Sequence, residues 1–432
     1  MADLTSNFLG IKSPNPFWLA SAPPTDKELN VVRAFEAGWG GVVWKTLGED
    51  PHVVNVNGPR YGAIYSSDRT LIGLNNIELI TDRPLQINLD EITRVKRDWP
   101  DRAVVVSLMV PCEENSWKDI LKKVEDTGAD GVELNFGCPH GMSERGMGAA
   151  VGQVPEYIQM VAEWCKQHTH MPVIVKLTPN ITDIRGPARA AHAGGADAVS
   201  LINTVSSIIS VNLDTMSPEP SIDGWGSHGG YCGPAVKPIA LNMVAEIARD
   251  PETANLPISG IGGITTWRDA AEFMALGAGN VQVCTAAMTY GFRIIDELTQ
   301  GLSDWMDEKG YHSVDEIVGK ATPNVKDWQH LNLNYIAKAV IDQDLCIQCG
   351  RCHIVCEDTS HQAITSTVDG KRKFEVIDEE CVGCNLCVSV CPVDHCISME
   401  QMTSGVDPRT NTPINSKYAN WTTHPNNPSA QT

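Results

Sequence analysis

PISGIGGITTWRDAAEFMALGAGNVQVC, residues 257–284, decides how the first three quarters of the chain fold. It opens with a short apolar run, PISGIGG from Pro257, and closes with another, NVQVC from Asn280. Between them TTWRDAAEFMALG has helical spacing and ends on Gly277, where a C-cap belongs. Strand, helix, strand at this length reads as two parallel strands joined by a crossover helix. The alternation runs back through the chain: PFWLAS from Pro16, GVVWK from Gly41, AVVVSLM from Ala103, GVELNF from Gly131, PVIVKL from Pro172 and DAVSLI from Asp197, with DKELNVVRAFEAG and SWKDILKKVEDTG among the connectors. Eight such units in about 280 residues predict a closed (β/α)₈ TIM barrel.

Barrels of this kind build their sites at the C-terminal ends of the strands. Here otherwise apolar strands finish on Ser21, Lys45, Asn135, Lys176, Asn203 with Thr204, and Thr285. One lysine at a rim can be a simple cap; six polar ends out of eight, two of them lysines, mark a site. The connectors from Thr46 to about Asn88 and from Asn203 to about Pro234 are too long for plain turns. The fourth strand runs into NFGCPHGMSERGMG, which places Cys138 and His140 on a loop that Gly137, Gly141, Gly146 and Gly148 leave free to open and close. Pro139 keeps Cys138 out of a helix. GIGGI after strand seven and CTAAM after strand eight predict a phosphate site made of backbone N–H groups and a helix N-terminus, with a tight βα turn as the purely structural alternative.

The 432 residues allow a large domain and a small one, and a change in cysteine usage divides them as 1–334 and 335–432. Of 14 cysteines, nine fall between Cys346 and Cys396. A net charge of −20 argues against nucleic acid as a partner. No apolar run of 18 residues and no basic, apolar leader is present, so neither a membrane span nor secretion is expected, and a cytoplasmic protein is.

Within the second domain, CIQCGRCHIVC and CVGCNLCVSVCP both have the C-x₂-C-x₂-C-x₃-C spacing that gives three thiolates to one [4Fe–4S] cluster and the fourth to its neighbour. That assigns Cys346, Cys349, Cys352 and Cys391 to one cluster and Cys381, Cys384, Cys387 and Cys356 to the other, in a ferredoxin-like 2[4Fe–4S] domain with a polar C-terminal tail. Cys396 lies outside the pattern and is expected to be buried. Clusters move single electrons, whereas a phosphate-anchored cofactor beside a thiol suits two-electron chemistry on an organic molecule. FMN has one phosphate and connects the two regimes. No G-x-G-x-x-G stands in a strand–turn–helix context, so NAD(H) is not expected to bind this chain.

The runs NNIEL, NFGCPHGMSERGMG, KLTPNITDI, INTVSSI, GGYCGPAVKPIAL and SGIGGI, followed by the two-cluster tail, resemble the dihydropyrimidine dehydrogenases from Phe8 to about Met399. Without the extra flavin, nicotinamide and cluster domains of the long animal enzyme, the chain is similar to the catalytic subunit of the two-subunit, NAD-dependent bacterial form. The barrel is also similar to that of the dihydroorotate dehydrogenases. The resemblance implies reduction of the 5,6 double bond of uracil or thymine. It further implies a partner subunit carrying FAD and an NAD(H) site, in a heterotetramer. It places Asn76, Asn135, Asn203 and Thr204 on the pyrimidine, where amides that both donate and accept match alternating C=O and N–H groups. Lys45 and Lys176 would face the flavin, with Ser21, Ala22, Thr46, Gly233, Gly262, Gly263, Cys284 and Thr285 along its ring, ribityl chain and phosphate. Cys138 would be the general acid, since an unperturbed thiol, pKa about 8.5, holds its proton at neutral pH. Gly137 departs from the animal enzyme, which has a serine directly before the cysteine.

Two rivals remain at this point. A dihydroorotate dehydrogenase would share barrel, FMN and loop cysteine, but it must bind a carboxylate, and its NAD-linked form keeps the clusters on another chain. A ferredoxin-type electron carrier would use the barrel only as a scaffold.

Overall fold

The computed structural model describes residues 2–49, 54–139, 146–416 and 418–431, and forms two compact units, Met1–Val325 and Lys326–Thr432. The division falls a few residues before the 334/335 boundary expected from cysteine usage.

In the first unit, Phe17–Leu19, Gly41–Leu47, Ala103–Leu108, Gly131–Asn135, Val173–Lys176, Ala198–Leu201, Ile258–Ile261 and Ala278–Val283 close into a barrel in which each strand pairs with its neighbours in the chain and the last with the first. All these pairings are parallel. Successive side chains on a strand point to opposite faces, and the packing follows that period. Val42, Trp44, Val104, Val106, Val173 and Val175 join the large core with the helices. Trp18, Val43, Val105, Ile174 and Ala198 form a separate cluster with Phe8 and Ile11, which an antiparallel hairpin of Ser6–Phe8 and Ile11–Ser13 supplies. Two residues beyond Val43, Val105, Ile174 and Ala198, on the same inward face, stand Lys45, Ser107, Lys176 and Ser200, all buried. The barrel interior therefore changes from apolar to polar along its axis. The polar end is the one where the strands finish.

The two long connectors are more than loops, which corrects the simpler expectation. Tyr61–Tyr65 and Leu71–Asn76 from the second connector pair with Gly229–Cys232 and Val205–Ser207 from the sixth in one antiparallel four-stranded sheet. Asn88 lies inside the helix Leu85–Asp98 that completes the second unit of the barrel.

In the second unit, Ile336–Ile341 pairs antiparallel with Ile397–Met402, and a hairpin joins Ile364–Asp369 to Lys371–Val376. The helix Arg351–Glu357 carries Cys352 and Cys356, and the helix Leu386–Val390 carries Cys387 and ends at Cys391. Cys352, Cys356, Cys381, Cys387 and Cys396 pack with Ala339, Ile364, Phe374 and Ile397 in one small core. Among the described residues no helix is long and apolar enough to cross a membrane.

Candidate active site

At the polar end of the barrel lies a cavity of about 1160 Å³, counting its open mouth. The barrel residues assigned from the sequence to catalysis, pyrimidine and flavin line it: Ser21, Ala22, Lys45, Thr46, Asn76, Asn135, Cys138, Lys176, Asn203, Thr204, Gly233, Gly262, Gly263, Cys284 and Thr285. Strand-end side chains are tied into a chain of hydrogen bonds across the floor. Ser21 Oγ and Thr46 Oγ1 are 3.1 Å apart, and Thr46 Oγ1 is 2.9 Å from Ser107 Oγ. Asn135 Nδ2 donates to Thr46 Oγ1 at 3.0 Å, and Asn203 Nδ2 donates to Asn135 Oδ1 at 3.0 Å. From the capping sheet, Asn76 Nδ2 donates to the Gly230 carbonyl at 3.0 Å.

Both lysines are buried and matched by carboxylates that the sequence reading did not single out. Lys45 Nζ is 2.6 Å from Glu78 Oε1 and 3.7 Å from Asp26 Oδ2, and Arg60 Nη1 is 3.0 Å from Glu78 Oε2. Burial raises the Asp26 carboxyl above its usual range, against the pull of Lys45. Lys176 Nζ is 3.3 Å from Glu133, which is fully buried and accepts from Ser200 Oγ at 2.8 Å and Gln282 Nε2 at 3.1 Å. A glutamate in the middle of GVELNF was the legible signal for Glu133. Glu78 stands within NNIEL.

Cys138 is 8% exposed and packs with Ile80, Met109 and Met147. Its carbonyl accepts from Ala149 N at 3.0 Å, which anchors the thiol at the cavity wall. His140, Gly141 and the middle of the loop lie outside the described residues; Gly146 and Gly148 adopt φ +72° and +59°. Two further thiols face the cavity. Thr285 Oγ1 donates to Cys232 Sγ at 3.3 Å, and burial, with the neighbouring Cys232, pushes the Cys284 thiol up to about 12.

Two glycines shape the wall at strands seven and eight. Gly262 and Gly263 adopt φ +129° and +75°, and a Cβ on Gly263 would stand 2.9 Å from the Gly233 carbonyl and from Lys237. Gln282 lines the cavity with a buried Oε1 that has no hydrogen-bond partner among the described residues. The helix after GIGGI is capped by its own side chain. Asp269 already accepts from the N–H groups of Thr265 and Thr266 at 2.9 and 2.8 Å and pairs with Lys237 at 2.6 Å, so that N-terminus is neutralised from within.

In the second unit the thiols of each run lie close enough to repel one another's charge. Cys346 and Cys349 raise the pKa of Cys352 after burial, and Cys381 and Cys384 do the same to Cys387, which burial pushes up to about 11. Among the described residues no three ligating side chains converge on one metal ion. Thiolates set around a cube, each bound to a different iron, need not converge on a point. Cys396 is 2% exposed inside the small core.

A model of the dihydroorotate dehydrogenase family matches residues 3–306. The chain belongs to that family. A 4Fe–4S dicluster domain model matches residues 339–399. The chain is 41% identical over 400 residues to the NAD-dependent dihydropyrimidine dehydrogenase subunit PreA of Escherichia coli K12, covering 93% of this chain and 96% of that one. It is 41% identical over 326 residues to the chloroplastic dihydropyrimidine dehydrogenase (NADP(+)) of Arabidopsis thaliana, covering 73% of this chain and 76% of that one. The catalytic subunit of dihydroorotate dehydrogenase B (NAD(+)) from Pyrococcus abyssi is 38% identical over 318 residues, which take in 99% of that protein but 74% of this chain. Among solved structures, the dihydroorotate dehydrogenase of Eimeria tenella superposes with a TM-score of 0.60 at 19% identity, covering 73% of this chain and 88% of that one, a likeness of fold alone. The chain is an oxidoreductase of this family whose cofactors are FMN and two [4Fe–4S] clusters.

Proposed function

We propose that this chain is the catalytic subunit of a cytoplasmic dihydropyrimidine dehydrogenase that reduces the 5,6 double bond of uracil or thymine. One observation carries the choice of ring: among the described residues, the two lysines that line the cavity are already matched, Lys45 by Glu78 at 2.6 Å and Lys176 by Glu133 at 3.3 Å. A neutral ring fits such a site. The carboxylate of dihydroorotate would have to displace a buried ion pair, which is costly.

Asn76, Asn135, Asn203 and Thr204 would hold the pyrimidine edge, their amides and hydroxyl matching its donors and acceptors. Ser21, Ala22, Lys45, Thr46, Lys176, Gly233, Gly262, Gly263, Cys284 and Thr285 would hold FMN, which when bound supplies hydride to one ring carbon. Cys138 would deliver the proton from its Sγ to the neighbouring carbon. Its packing against Ile80, Met109 and Met147 keeps water from competing for that proton. Cys346, Cys349, Cys352 and Cys391 would ligate one cluster and Cys381, Cys384, Cys387 and Cys356 the other.

Electrons would come one at a time from a second chain with FAD and an NAD(H) site, in a heterotetramer. The Escherichia coli relative is itself named as a subunit. The test is co-expression with candidate FAD proteins: NADH-dependent uracil reduction should require the second chain, and orotate should not substitute for uracil. Equal turnover of dihydroorotate would move the assignment to the rival.

A further inference from the structure

The second cysteine run is seated on the first strand of its unit. Gly383 has φ +71°, and a Cβ there would stand 2.4 Å from the Ala337 carbonyl, so the CVGC loop lies directly on the Ile336–Ile341 backbone. The next residue of that strand, Lys338, is 5% exposed and turns its ammonium to the same loop. Nζ donates to the carbonyl of Cys381 at 2.5 Å and to that of Asp378 at 2.7 Å. The carboxylate of Asp407, 2% exposed, stands farther away at 3.7 Å. The first run has no such arrangement among the described residues: beside its Gly350 lies the guanidinium of Arg372, which is exposed and rests over Phe374.

We propose that Lys338 is a positioning and redox-tuning residue that raises the reduction potential of the cluster built on Cys381, Cys384, Cys387 and Cys356. This rests on the cluster assignment above. Reduction adds one negative charge to a cluster, and net charge nearby is one of the levers that set its potential. A buried ammonium is little screened by water and salt, so its charge favours the reduced cluster; an exposed guanidinium is largely screened. Asp407 offsets part of the effect, which gives the pair opposite signs: removing the lysine charge lowers the potential, and removing the aspartate charge raises it.

The experiment is an anaerobic EPR-monitored redox titration of the full chain as wild type, Lys338→Met and Asp407→Asn, with iron and sulfide counted in each. In Lys338→Met the reduced-to-oxidised ratio of one cluster at fixed potential should fall about tenfold, a 59 mV shift for one electron, while the other cluster stays put. In Asp407→Asn the same cluster should shift upward. A merely structural role would change cluster content and not potential. If Lys338→Met loses the cluster, the upward shift in Asp407→Asn decides alone. Both clusters retained with unmoved potentials, or both variants shifting the same way, would overturn the proposal. Wild type lacking two clusters would overturn the cluster assignment itself and the proposal with it.

Discussion

Asn203 Nδ2 donates to Asn135 Oδ1 at 3.0 Å, which joins the ends of the sixth and fourth barrel strands by two side-chain amides. Asn135 passes the constraint on to Thr46 at 3.0 Å, so each amide is held by its neighbour as well as by its own strand. Asn203→Ala and Asn135→Ala should each lower kcat/KM for uracil by about 5- to 150-fold, the ~1–3 kcal/mol of a buried polar group left unpaired. Because they share a bond, the double variant should lose less than the sum. Steady-state kinetics with flavin content measured in parallel decides this. Strict additivity, or flavin loss matching activity loss, would show that the two amides do not act on the substrate as a unit.

Cys138→Ala should retain FMN and both clusters and lower uracil turnover by roughly 10²-fold or more, the usual cost of a lost general acid. Reduction of the bound flavin by an artificial donor should be unaffected, since no proton from the thiol enters that step. Stopped-flow absorbance separates the two half-reactions. Normal reoxidation by uracil in the variant would remove Cys138 from the mechanism.

Neutralising Glu78 should change which rings the cavity accepts. With Glu78→Gln, Lys45 loses the carboxylate at 2.6 Å and keeps only Asp26 at 3.7 Å. An anionic ring such as orotate can then engage the ammonium, and its inhibition constant relative to that of uracil should fall by about tenfold or more, the value of one charge-assisted hydrogen bond. An unchanged ratio would mean that Lys45 is not what makes the cavity prefer a neutral ring.

The eight barrel strands were legible because each is a short apolar run bounded by turn residues, and the site's floor was legible because polar residues end those runs. The capping sheet was not. Its pairing joins Asn76 to Gly230, and local periodicity carries no information about partners so distant in sequence. Glu78, Asp26 and the helix-capping role of Asp269 were missed for a related reason. A carboxylate's partner is decided by the fold, and a helix N-terminus that looks free in TTWRDAA is closed by its own third residue.

That closure makes a pH prediction. Although burial opposes it, Lys237 and the N–H groups of Thr265 and Thr266 hold the Asp269 carboxyl below the usual carboxylate range. A depressed folded pKa adds stability that is complete above the unfolded pKa and is lost as pH falls through the folded one. Asp269→Asn should therefore lower stability by roughly 1 kcal/mol at pH 5–8, the value of a carboxylate at a helix N-terminus, and its melting curve should approach that of wild type as pH falls below about 4. A gap that stays constant down to pH 3 would show that the charge contributes nothing.

The most direct measurement is uracil consumption by the purified chain, loaded with FMN and both clusters, under reduced viologen and under NADH as separate donors. Dihydrouracil formed with viologen but not with NADH alone is the predicted result, because the proposed function puts the pyrimidine site and the clusters on this chain and the nicotinamide site on a second one. Dihydrouracil formed with NADH and no second protein, or no dihydrouracil with either donor, would contradict it.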